Sequence, residues 1–180
     1  MPSPQTLSVE DRKLVAGWAA DCAERVLAVF ETVAPTDGRP RDAILRARAF
    51  GSGELSAATQ IRRRFVAGRA AQDITDPAAI AAARSAAQAA SVAHMGAHAL
   101  GAAAYAAKAA GLAAADPTAT VREIRWQLDH LTGDVRSALE RLPALGENSA
   151  GPLGAGLLAS GVLGTVVRTI QAACRSSTSE

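Results

Sequence analysis

Residues 77–115 read PAAIAAARSAAQAASVAHMGAHALGAAAYAAKAAGLAAA, an almost unbroken alanine ladder carrying one polar cluster, His94, His98, Tyr105 and Lys108. Alanine loses no side-chain entropy in a helix and is the strongest intrinsic helix former, so this window predicts helix. A single straight helix of that length would span roughly 57 Å at the usual rise. A compact chain of this size is only about 40 Å across. The helix is therefore expected to break near Gly96 or Gly101, which places the histidine pair at a junction rather than on a uniform surface.

The 180 residues suffice for one domain with a proper core, and 49% hydrophobic with 20% charged content is that of a globular protein. A net charge of +2 and a pI near 8.8 are too mild for a nucleic-acid binder, which needs a concentrated basic face. Arg62, Arg63 and Arg64 form the only basic run and read as a solvated helix face. Cys22 and Cys174 lie far apart with no repeated spacing, so neither a disulfide framework nor a zinc site is indicated. A reducing cytoplasm is the expected compartment, and no cationic start followed by an apolar stretch marks a secretory signal. The apolar run 153–167 is shorter than a membrane span and dotted with glycines, so no membrane role is expected. It reads as a packing helix or a partner-binding tail.

Working outward, Ser8 followed by Asp11 predicts a helix start, and Leu14, Trp18, Cys22, Val26, Val29, Phe30 and Val33 define a buried stripe running to about Val33. Asp21 falls on that stripe, where a carboxylate needs a partner or shifts its pKa until it is neutral. A turn at 35–40 leads to a short helix from Pro40 to Phe50, and a further helix is expected from Ser56 to about Gln72. Asp76-Pro77 and Asp116-Pro117 each supply a cap followed by a first-turn proline. The second opens a helix with Val121, Ile124, Leu128 and Leu131 at helical spacing, interrupted at Gly133 and finished through Leu139 and Leu142.

No segment alternates polar and apolar residues, so no strand is expected. The predicted fold is all-α, a compact single-domain bundle of about six to eight alanine-rich helices. Its organisation is a helical domain over 8–142, a flexible Gly/Pro/Ser connection over 143–156, and an apolar helix over 157–174. Trp18, Phe30, Phe50, Phe65, Tyr105 and Trp126 are the large side chains available to fill the core.

Trp18 to Glu24, Arg39-Pro40-Arg41, Ala47 to Phe50, Ala93-His94, His98 to Leu100, Ala104 to Ala109 and Trp126-Gln127-Leu128 occur in an order that resembles the immunity-five-like family, classed with the immunity proteins of bacterial polymorphic toxin systems. The resemblance covers about Asp11 to Leu142. Its specific part is Trp18, Asp21, Cys22, His94, His98, Tyr105, Lys108 and Trp126-Gln127. It implies an α-helical cytoplasmic protein with a protein toxin as partner. The family pattern stops soon after the Trp-Gln helix, whereas this chain continues in a Gly-rich apolar tail. That addition implies a homo-oligomer contact through the C-terminal helix, or a changed role.

The polar cluster admits several chemistries. His94 and His98 stand four apart, which on a continuous helix brings both rings within reach of one ion, yet no third ligand is local and metal binding is not expected. The plainer reading is that both histidines bond to acids across a helix interface. No cofactor is expected. A small all-α enzyme of a specialised biosynthetic pathway would use Asp21 with His94 or His98 as an acid/base pair for proton transfer, cyclisation or hydrolysis. Trp18, Tyr105 and Trp126 would edge its small-molecule pocket, with Cys22, Lys108 and Gln127 beside them. Cys22 sits mid-stripe, where a thiol behaves as a small inert hydrophobe. The binding reading leads: a helical surface covers the toxin and gains specificity from charge.

Overall fold

The structure, a computed structural model, describes residues 3–62 and 66–176. Among the described residues it is all-α, with ten α-helices and no strand. None of these helices is long and apolar enough to cross a membrane.

Helix α1 (Val9–Glu24) starts where Ser8 Oγ accepts from the Asp11 amide at 3.0 Å, the expected cap. It does not run on to Val33. The chain turns at Arg25 and Val26, and α2 (Leu27–Val33) leaves in a direction that packs it on α6 (Pro77–Ser91). Of the predicted stripe, Trp18, Cys22, Val26 and Phe30 are buried and Leu14 and Val33 are exposed, while Val15, Ala16 and Ala19 are buried beside it. Alanines among the larger side chains let α1 bury more than one narrow face, because other backbones can approach it closely.

Helix α3 (Arg39–Gly51) carries Pro40 in its first turn and packs against α1 and α6. Helices α4 (Ala57–Arg62) and α5 (Val66–Ala70) follow within the predicted 56–72 segment. Arg63, Arg64 and Phe65 lie outside the described residues, so the basic run and one of the proposed core fillers do too. Of the other fillers, Trp18, Phe30, Phe50 and Tyr105 are buried and Trp126 is half-buried.

Helices α6 and α7 (His98–Ala114) form the central pair, and the predicted break falls between them. Asp76 caps α6, its Oδ1 accepting from the Ala79 amide at 2.8 Å. At the junction the N-terminal segment comes in as a wedge. The amides of Gly96 and Ala97 donate to the carbonyls of Thr6 and Gln5 at 2.9 and 3.0 Å. Leu7 occupies the place a Cβ at Gly96 would take, so only glycine fits there. Ser85 Oγ donates to the Ala102 carbonyl at 2.8 Å and joins the two helices through their alanine faces.

Helix α8 (Pro117–Asp129) is capped by Asp116, Oδ1 accepting from the Thr118 amide at 2.8 Å. Its buried positions are Ala119, Glu123 and Gln127, while Val121 on the predicted apolar stripe is exposed. Ile124, Leu128 and Leu131 of that stripe pack half-buried against the core, while the two longer polar side chains find partners at the end of α1 and on α7. Thr132 caps α9 (Gly133–Glu140), accepting from the Val135 amide. An irregular loop and a short 3₁₀ turn (Leu157–Ala159) lead to α10 (Gly161–Ser176), which packs Leu163, Val166, Val167, Ile170 and Cys174 inward, against α7, α8 and α9. Gln5, fully buried, ties that loop to the N-terminal wedge.

Candidate functional site

Four of the sequence-derived pocket residues meet where α1 crosses α8. Trp18 Nε1 donates to the Gln127 carbonyl at 3.1 Å, and Gln127 Nε2 donates on to the Ala103 carbonyl of α7 at 3.0 Å. Cys22 is wholly buried beside them, and burial pushes its thiol up, with the nearby charges of Glu123 and Asp21 adding to the effect. Both effects disfavour the thiolate, the form that acts as nucleophile or metal ligand.

The outer rim of this crossing is polar and aromatic. Arg25, at the end of α1, donates Nε to both carboxylate oxygens of the buried Glu123 at 2.9 Å and lays its guanidinium 4.0 Å from the Trp126 ring. His130 stacks on the same indole with centroids 3.9 Å apart, and its Nδ1 donates to the Trp126 carbonyl at 2.8 Å. That bond requires the proton on Nδ1 and orients the ring. The half-buried Trp126 is thereby held between Arg25 and His130.

Asp21 corrects one expectation. It is exposed, not buried on a stripe, because α1 turns that face toward α3, where Arg48 Nη2 bonds to Asp21 at 2.5 Å and Glu24 at 2.7 Å. The Arg48 hydrogen bond holds the Glu24 carboxyl below the usual range. Asp21, Glu24, Arg25, Trp126 and His130 line a dimple of about 200 Å³, smaller than the pockets that enclose small-molecule ligands.

The histidines lie elsewhere. His94 sits in the turn between α6 and α7, so it does not share a continuous helix face with His98, and Arg12 Nη1 donates to its carbonyl at 3.1 Å. His98 opens α7 and places Nδ1 2.8 Å from the amide oxygen Gln88 Oε1. It lines a cleft with Arg69, Gln72 and Gln88, whereas the dimple holding Asp21 contains neither histidine. Tyr105 and Lys108 form a third locality on α7, where Arg84 Nη1 donates to Tyr105 Oη at 3.3 Å.

Sequence reading missed Arg25, which ends a helix predicted to continue, and Gln5, which carries no motif. The burial of Glu123 was not foreseen either. Its spacing of four from Gln127 was the available signal that two polar residues share one helix face.

On the outer side of this all-α bundle a tryptophan is stacked between arginine and histidine and bordered by paired carboxylates. The family model described as Imm-5 like putative immunity protein matches residues 5–134, most of the chain, and the protein belongs to that family. No curated protein and no solved structure matches the chain.

Proposed function

We propose that the protein acts as an immunity protein, neutralising a toxin by covering it with the helical face centred on Trp126. The observation that carries this reading is the fixed Trp126–Arg25–His130 stack on the surface of a chain in an immunity family. Tryptophan and arginine dominate binding hot spots because they bury large areas with little loss of side-chain freedom. Around the stack, Asp21, Glu24 and Arg48 place charges that favour a complementary partner. The arrangement favours recognition over catalysis by Asp21, His94 and His98, since the carboxylate is already neutralised by Arg48 and neither imidazole lines its dimple.

The test is native mass spectrometry of the tagged protein recovered from its own host, alongside Trp126→Ala. A stoichiometric protein companion kept by the wild type and lost by a folded Trp126→Ala supports the reading. A companion retained equally by the variant overturns the assignment of the face. A retained small molecule with no protein companion would instead support the enzyme.

A further inference from the structure

Lys108 stands half-buried on α7, and among the described residues it makes no hydrogen bond or ion pair. Its ammonium is not among the buried polar groups and can donate charge-assisted hydrogen bonds to an anion that enters beside it. Two clefts meet at this residue. One, of about 230 Å³, runs past Arg84, Tyr105, Leu157 and Leu163. The other, of about 500 Å³, runs past Leu112, Pro117, Thr120 and Val162. Their sizes together suit one small organic molecule.

The charge of this groove is one-sided. No carboxylate lines the smaller cleft. In the larger one Asp116 is already engaged, capping α8 and pairing with Arg122. Arg84 donates to the Tyr105 oxygen, which leaves the hydroxyl proton of that buried phenol available to an incoming acceptor. Along α7, Tyr105, Lys108 and Leu112 follow at spacings of three and four and so present hydroxyl, ammonium and hydrocarbon in succession on one face. From Lys108 to Ala115 the helix rises about 10 Å, the length over which an apolar tail would lie. Leu112, Leu157 and Val162 are 44%, 59% and 40% exposed, an apolar rim that such a tail would cover.

We propose that this groove binds a linear carboxylic acid with an apolar tail, its carboxylate on Lys108 and Tyr105 and its chain against Leu112 and Val162. Leu157, Val162 and Leu163 belong to the segment after residue 134, outside the family match, so the site is made where this added segment closes on α6 and α7. The proposal is independent of toxin neutralisation.

Isothermal titration of the full chain with sodium decanoate, below its micellar concentration, tests it. Saturable one-to-one binding is expected, with 1-decanol weaker and Lys108→Met weaker by about tenfold or more, the worth of one charged hydrogen bond. Val162→Trp, which fills the tail cleft, should also abolish binding, while Trp126→Ala should leave it intact. Far-UV circular dichroism confirms that each variant is folded. Absence of saturable decanoate binding, or equal affinity in folded Lys108→Met, overturns the proposal.

Discussion

The indole of Trp18 donates to the backbone carbonyl of Gln127 at 3.1 Å, joining α1 to α8 across 109 positions of sequence. The bond is buried, and Gln127 Nε2 extends the connection to α7 through the Ala103 carbonyl. These two bonds link three helices.

Trp18→Phe keeps most of the ring and removes the donor, leaving the Gln127 carbonyl buried without it, so a loss of about 1–3 kcal/mol is expected. Trp18→Ala adds a cavity and should cost about 3–5 kcal/mol. Urea denaturation followed by circular dichroism measures both. Equal effects of the two substitutions would show that the hydrogen bond, not the ring volume, dominates.

Gln5 is fully buried and spans two segments, with Nε2 donating to the Asn148 carbonyl at 2.7 Å and Oε1 accepting from the Leu153 amide at 2.9 Å. Gln5→Ala strands that amide and should destabilise the protein by about 1–3 kcal/mol. Native-state hydrogen exchange should show the Leu153 amide losing protection before the α6 and α7 amides.

Arg48→Met removes the partner that holds Glu24 below its ordinary value. A carboxyl depressed in the native state contributes stability above its unfolded value, and loses it as the pH falls through the lower native one. The penalty of Arg48→Met should thus be present at neutral pH and shrink on acidification below the ordinary glutamate range near about 4.3. Both groups are partly exposed, so the neutral-pH penalty should stay under about 1 kcal/mol. Parallel denaturation curves across the acid range test the sign.

Cys22 and Cys174 are 0% and 1% exposed, and burial raises both thiols above their ordinary value. Thiolate is the reactive form, so neither should react with Ellman's reagent in the native protein at neutral pH. Both should react in denaturant. Rapid labelling of either native thiol would contradict the packing.

How much was legible follows from which interactions are local. Caps at Ser8, Asp76 and Asp116 involve residues two or three apart, so short motifs foretold them. The histidine junction was also foretold, because a compact molecule has no room for so long an unbroken helix. Why it breaks beside Gly96 was not visible, since Leu7 and the carbonyls of Gln5 and Thr6 arrive from about 90 positions away. The site was less legible than the fold. Asp21 looked buried by helical spacing, yet the turn at Arg25 and the approach of α3 turned it to Arg48 at the surface. Trp18, Cys22, Trp126 and Gln127 converge, whereas Tyr105 with Lys108 and His98 occupy separate clefts.

Helical class, most element boundaries and family membership belong to the chain's own pattern, because alanine propensity, capping and periodicity act over one to four residues. The burial of Glu123 and Gln127, the exposure of Asp21, the stack on Trp126 and the groove at Lys108 belong to the packed molecule. Alanine accounts for the difference: its small side chain makes a helix strongly but marks no unique face. Close backbone approach and the few long polar side chains, Arg25, Glu123 and Gln127 among them, choose which surfaces meet.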